Sequence, residues 1–266
     1  MPRGCARIAD LMKISVLVPA FNEETTIENV LARLSELPFA DFEVIVVDDG
    51  SSDATADRIQ RCTAGNPRIR SFRHERNLGK TAAIAKAISE STGDILIVQD
   101  ADLEYDPIEI PDVIEPILKN VADVVYGSRF LVKRASRVLY FYHYVANKFL
   151  TLLSNLLTNR NMSDIETCYK AFRREVIAPM ILTSRGFGME VEITAMICKT
   201  QARTYEVPIS YYGRTYDEGK KIGLKDGIAA IWYILYYNLV APWTNDGKRY
   251  IATVNDALQR RRRGVS

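Results

Sequence analysis

Asp94-Ile95-Leu96-Ile97-Val98-Gln99-Asp100-Ala101-Asp102 is the stretch whose reading decides the fold. Its four consecutive apolar residues, Ile95 to Val98, read as a buried strand, and two carboxylates one residue apart close it. In an open α/β sheet, ligands bind at the C-terminal edge of the strands. Two carboxylates placed there can converge on one hard divalent cation, which takes oxygen ligands and often retains a phosphate-bearing substrate. Acidic residues also follow strands in ordinary surface turns, so the pair takes its meaning from its surroundings.

Working outward, strands and helices alternate. Strands are expected over 14–19, 43–47, 69–73, 95–99 and 124–127. Helices are expected from Asn22, acting as a cap, to about 37, over 53–62, over 81–89, and from Pro107 to about 119. Asp106 before Pro107 is the preferred arrangement for a helix start. This order predicts a doubly wound, mostly parallel α/β sheet with helices on both faces.

The second half is less regular. Residues 138–157 have helical periodicity, with Tyr142, Val145, Phe149, Leu153 and Leu156 on one face and His143, Asn147, Thr151 and Ser154 opposite. Two readings fit: a helix packed on the sheet, or one lying in a membrane interface, with Tyr140, Phe141, Tyr142 and Tyr144 at its start. Glu206-Val207-Pro208 reads as an edge strand, since Pro208 cannot donate to a ladder. A loop with Gly213, Gly219 and Gly223 follows, carrying Arg214, Lys220, Lys221 and Lys225.

The 266 residues suffice for the core of one large α/β domain, and a net charge of +2 gives no electrostatic claim on nucleic acid. Arg260 to Arg263 read as a solvated tail that an anionic membrane would attract. The four cysteines lie far apart with no CxxC, which fits reduced cytoplasmic thiols and argues against a disulfide framework or zinc. Residues 228–243 are apolar, but 16 positions fall short of the roughly 20 that a spanning helix needs. No signal peptide is expected, because the apolar run 14–21 leads straight into Asn22-Glu23-Glu24.

Three strand ends bring polar groups to one edge. After the first, Phe21 can pack on a base and Glu23 can accept a hydrogen bond from it. After the second stand Asp48, Asp49 and the turn-forming Gly50, with a carboxylate for a base N–H or ribose hydroxyl. After the next buried strand come Asp100 and Asp102. Gly79-Lys80-Thr81 ends like a phosphate-binding P-loop, but His74 stands where that motif needs glycine. The dinucleotide fingerprint is absent after Val18. His74 and His143 have no third ligand and read as structural. Glu166 and Lys170 read either as a helix-spaced pair or as part of an acceptor-side loop. Met189-Glu190-Val191-Glu192 opens a helix whose acids suit its N-terminus.

Val18-Pro19-Ala20-Phe21-Asn22-Glu23, Val46-Val47-Asp48-Asp49-Gly50-Ser51-Ser52-Asp53, Arg76-Asn77-Leu78-Gly79-Lys80, Gln99-Asp100-Ala101-Asp102-Leu103 and Tyr126-Gly127-Ser128-Arg129 together resemble a family 2 glycosyltransferase of GT-A fold. Within that family the chain is most similar to polyprenyl-phosphate sugar transferases of the dolichol-phosphate mannosyltransferase type, over about residues 12–240. The resemblance implies a nucleotide-sugar donor, GDP-mannose first, a polyprenyl-phosphate acceptor, and Mg²⁺ or Mn²⁺. It places Pro19, Phe21, Glu23, Val47, Asp49 and Ala101 at the nucleoside, and Asp100, Asp102 and Glu104 at the metal. Arg129, Arg214 and Lys220 would meet phosphate, and Asp102 and Arg129 would carry the catalysis. Phe21 replaces the commoner tyrosine, and Glu104 the commoner glutamine. The implied layout is an extension over 1–12, a catalytic GT-A domain over 13–226, and a C-terminal amphipathic helix with basic tail over 227–266. The enzyme would sit on the cytoplasmic face of a membrane, by its own helices or through a membrane-anchoring partner. Other readings are a UDP-sugar transferase acting on polyprenyl phosphate or a glycan hydroxyl, with Glu190 or Asp164 as base, and a non-catalytic sugar-nucleotide-binding subunit.

Overall fold

Branched side chains dominate residues 44–47 and 95–98 and suit a pleated surface buried on both sides. A computed structural model of the chain describes residues 12–131, 140–213 and 224–264. The strands are β1 (Ile14–Ala20), β2 (Phe42–Asp48), β3 (Ile69–Arg73), β4 (Ile95–Val98), β5 (Val124–Ser128), β6 (Lys170–Arg173) and β7 (Thr204–Pro208). Among the described residues they form one sheet in the order β3-β2-β1-β4-β6-β5-β7. β6 runs antiparallel between β4 and β5, and every other pairing is parallel. The expected doubly wound, mostly parallel sheet is present, with β7 at its edge.

β6 itself was not expected, since the polar stretch ending at Lys170 reads as a loop. Its central Ala171 and Phe172 are apolar, and pairing on both sides buries even the charged ends Lys170 and Arg173. Lys170 is therefore not helix-spaced from Glu166. Its ammonium donates to the carbonyls of Ile165 and Thr167.

The helices are α1 (Ile27–Ser35), α2 (Thr55–Thr63), α3 (Lys80–Glu90), α4 (Ile110–Leu118), α5 (Phe141–Thr158), α6 (Arg174–Ile177), α7 (Met189–Cys198), α8 (Leu224–Leu239) and α9 (Asn245–Arg262). Asp106 caps a short 3₁₀ turn at Pro107–Glu109 that leads into α4. Asn22 does not cap α1, which starts after Thr26. It adopts a left-handed φ of +53° and accepts from the Ser52 N–H, tying the ends of β1 and β2 together.

In α5 the expected apolar face divides, because Leu153 packs partly against the core beside buried Leu150. Thr151 and Ser154 are buried against the protein, while Tyr142, Val145, Phe149 and Leu156 face outward. The Arg260–Arg263 segment is no free tail. α9 buries Tyr250, Val254 and Leu258, Arg261 pairs with Glu175 at 3.2 Å, and Arg262 donates to the Gln201 carbonyl at 2.7 Å. Among the described residues no helix is long and apolar enough to cross a membrane.

At the N-terminal end of β2, Glu43 accepts from the Ser15 hydroxyl at 2.7 Å and from the Thr92 N–H at 2.6 Å. Burial opposes its ionisation, but these bonds and the Lys13 charge hold the carboxyl down at about 2, from 4.5. Its stabilisation is complete above 4.5 and is lost as pH falls towards 2. Glu43→Gln should cost about 2 kcal/mol in denaturant unfolding at neutral pH and flatten the acid limb. An unchanged acid limb would show that Glu43 is not the group responsible.

Candidate active site

The sheet order reverses direction between β1 and β4, and in doubly wound sheets such a switch point opens a crevice at the strand ends. Pro19 lies at the end of β1 with Phe21 just after it, Asp48 ends β2 with Asp49 next, and Asp100 and Asp102 follow β4. Pro19, Phe21 and Glu23 are half-buried, whereas Val47 and Ala101 are buried.

Asp49 is buried, and its carboxylate is engaged within the protein. Oδ1 meets His74 Nδ1 at 2.7 Å and accepts from the Leu78 N–H at 3.0 Å, while Oδ2 accepts from the Gly79 N–H at 2.7 Å. His74 thus has a structural partner. Gly50 allows this close packing. It sits at φ +71°, and a Cβ there would lie 2.5 Å from the Arg76 carbonyl carbon. The Arg76–Lys80 loop is therefore clamped onto the end of β2.

The acidic turn after β4 is strained at Leu103, a non-glycine residue at φ +60°. Asp102 Oδ1 accepts from the Glu104 N–H at 3.1 Å and fixes the turn. Glu104 faces Tyr211, whose hydroxyl donates to it at 2.9 Å. Among the described residues no group of three or more His, Cys, Asp and Glu side chains gathers tightly enough to hold a cation alone. Asp100 and Asp102 are half-buried hard donors, and together they fit Mg²⁺ or Mn²⁺ completed by ligand oxygens.

Asp100 has close neighbours from distant parts of the chain. Its Oδ1 lies 2.9 Å from Lys80 Nζ and accepts from the Cys168 thiol at 2.9 Å. Lys80 also reaches Cys168 Sγ at 3.0 Å and Glu190 Oε1 at 3.2 Å. Burial works to lower the Lys80 pKa, but Asp100, Cys168 and Glu190 outweigh it and keep the ammonium charged. In the sequence Lys80 closes the Arg76–Lys80 motif of the resemblance without a role of its own, and Cys168 falls within the stretch 164–170 expected as an acceptor-side loop. The available signal was a lysine opening an alanine-rich helix directly after a glycine.

Arg129 forms a bidentate pair with Asp164, Nε to Oδ2 at 2.7 Å and Nη2 to Oδ1 at 2.8 Å. Its guanidinium also lies over the Tyr211 ring, 5.2 Å from the centroid. Asp164 is fully buried. Burial would raise its carboxyl, and Arg129 outweighs burial to hold it below the ordinary range. Arg214 and Lys220, with Lys221, lie outside the described residues, as do residues 1–11 of the expected extension.

Burial, then the nearby Glu190 charge, pushes Glu166 up to about 7 from 4.5. The folded protein therefore holds a proton there that the unfolded chain releases, and stability falls as pH rises through that window. Glu166→Gln should match wild type in melting temperature below pH 4.5 and exceed it above pH 7. Parallel melting curves across the window would sink this if they differ only by a constant.

Sheet order and acidic strand ends define an α/β protein of the GT-A fold. A solved structure of glucosyl-3-phosphoglycerate synthase from Mycobacterium tuberculosis, in complex with Mn²⁺, uridine diphosphate and phosphoglyceric acid, superposes with a TM-score of 0.69 at 22% identity, covering 89% of this chain and 82% of that one. The glycosyl transferase family 2 model matches residues 15–179, and the chain belongs to that family. A dolichol-phosphate mannosyltransferase of Pyrococcus furiosus is 30% identical over 215 residues, 80% of this chain and 60% of that protein, so the chain spans less than two thirds of that relative's length. An undecaprenyl-phosphate 4-deoxy-4-formamido-L-arabinose transferase of Photorhabdus laumondii is 30% identical over 254 residues, 93% of this chain and 73% of that protein.

Proposed function

We propose that this protein transfers a hexose, mannose from GDP-mannose first, to a polyprenyl phosphate at the cytoplasmic surface of a membrane, with Mg²⁺ or Mn²⁺ as cofactor. The observation that carries the reading is the outward apolar face of α5 and α8, which pack on each other. Phe141, Tyr142 and Leu156 are 70, 83 and 72% exposed on α5, and Trp232 is 65% exposed on α8. Trp243, just after α8, is 72% exposed. Aromatic residues at this density suit the headgroup layer of a bilayer, and such a patch is costly in water. α8 also meets the turn that leads to Glu190, whose Oε1 pairs with Lys80, because the Arg185 N–H donates to the Tyr233 hydroxyl at 3.2 Å. A lipid chain could stay in the bilayer while its phosphate reaches the strand ends. Both curated relatives carry a polyprenyl phosphate in their names.

A lipid phosphate is already an oxyanion near neutral pH, so its attack on the sugar needs no strong base. Catalysis then rests on alignment and on neutralising the departing nucleoside diphosphate. Bound at Asp100 and Asp102, the metal ion would supply Lewis-acid stabilisation of that leaving group. Arg129, held by Asp164 and Tyr211, supplies a preset cation. Phe21 and Glu23 orient the base. A hydroxyl acceptor would need a base, and of the two candidates Asp164 is already spent on Arg129 and Glu190 is paired with the Lys80 ammonium.

The test is transfer of label from radiolabelled GDP-mannose, with UDP-glucose in parallel, into organic-extractable lipid in the presence of polyprenyl phosphate and Mn²⁺. Metal-dependent label in the lipid phase supports the reading, and the productive donor identifies base and sugar. Label only in water-soluble glycan, or tight nucleotide binding without transfer, would overturn it. Phe141→Ser combined with Trp243→Ser should leave the melting temperature unchanged and weaken binding to anionic vesicles by about thirtyfold or more, since each lost aromatic contact is worth roughly 1 kcal/mol or more. Undiminished sedimentation with vesicles would place the lipid contact elsewhere.

A further inference from the structure

Lys80 opens α3, where the helix N-terminus disfavours a positive charge. Its backbone is nevertheless fixed there, because the Gly79 N–H before it is held by buried Asp49 and Gly79 takes φ +93°. The side chain is 24% exposed, and its Nζ lies 2.9 Å from Asp100 Oδ1, 3.0 Å from Cys168 Sγ and 3.2 Å from Glu190 Oε1. An ammonium has three donors, and three partners from three separate segments meet it. None of the roles assigned above to the nucleotide and acceptor sites uses this lysine.

We infer that Lys80 is a positioning residue that acts as the internal counter-ion of the metal site, holding Asp100 against Glu190 and making cation entry depend on the donor diphosphate. The inference rests on the metal-dependent reading proposed above. A dication approaching Asp100 meets an ammonium already within 3 Å of the same oxygen. The repulsion between them is large at that separation. Diphosphate oxygens bring the negative charge that offsets it, so metal and nucleotide bind best together. Glu190 gives Lys80 a second carboxylate to rest on when Asp100 turns to the ion.

The experiment titrates the full chain with Mn²⁺, reading free ion by electron paramagnetic resonance, alone and with GDP or UDP present. Wild type should bind Mn²⁺ weakly alone and at least about tenfold more tightly with the nucleotide. Lys80→Met should bind Mn²⁺ alone about tenfold more tightly than wild type, with the nucleotide effect reduced in proportion. Lys80→Arg should behave as wild type. Glu190→Gln, which takes one of the two carboxylates from Lys80 and leaves it Asp100 and the Cys168 thiol, should shift the affinity the other way and serves if Lys80→Met does not fold. A gain in metal affinity is not what a merely structural lysine would produce. Equal or weaker Mn²⁺ binding by folded Lys80→Met, or by Glu190→Gln a gain, overturns the inference while nucleotide-assisted binding by wild type leaves the metal reading intact. If wild type binds no Mn²⁺ even with nucleotide, the metal reading fails and this inference with it.

Discussion

Asp102→Asn should lower turnover on the order of 10²-fold or more at saturating Mn²⁺, with the fold intact. The amide keeps the shape of the carboxylate and can still accept from the Glu104 N–H through Oδ1, so the turn around Leu103 stays closed. What it loses is the charge and one hard donor for the ion. The side chain is only half-buried, and its neutralisation should move unfolding free energy by no more than about 0.5 kcal/mol. Asp100→Asn should behave differently. It removes the carboxylate facing Lys80 at 2.9 Å and leaves that ammonium to Glu190, so both metal binding and local order change. Initial rates of lipid labelling beside melting curves separate the two. Turnover of Asp102→Asn equal to wild type with saturating metal would refute the metal assignment.

The parallel half of the sheet was legible because uninterrupted apolar runs such as Ile95–Val98 are long enough to mark buried strands, and the polar groups closing them mark the edge. β6 was not, because a four-residue strand with lysine and arginine at its ends carries no periodic signal. Its identity comes from pairing with β4 and β5 across the fold. The apolar set expected for α5 holds only in part, since Leu153 packs against the core while Tyr142, Val145, Phe149 and Leu156 face outward, and a 3.6-residue period does not say which side turns inward. The burial of Thr151 and Ser154 fixes it. At the candidate site, residues clustered in motifs were visible and residues joined by folding were not. Cys168 meets Asp100 from 68 positions away, and Asp164 meets Arg129 from 35. Side-chain polarity announces that such groups need partners and leaves the partner open.

The Arg129–Asp164 pair carries the largest expected effect on stability. Asp164→Ala should destabilise the protein by about 3–5 kcal/mol, because it leaves a buried guanidinium without its carboxylate. For a domain of this size that corresponds to a fall in melting temperature of roughly 10 °C. Arg129→Ala strands the carboxylate instead. Asp164 then loses the partner that outweighs its burial, and its carboxyl should rise above the ordinary range. In wild type the pair's contribution is present above the unfolded value of 3.8 and is lost as pH falls through the lower folded value. In Arg129→Ala that sign reverses, so stability should decline as pH rises from 3.8. Replacing both residues, as Arg129→Met with Asp164→Leu, removes the two buried charges together and should recover most of the lost stability. Lipid labelling should not recover, since the cation proposed to meet phosphate is gone. Recovery of activity along with stability in the double variant would show that the pair is architectural and that Arg129 has no part in the transfer.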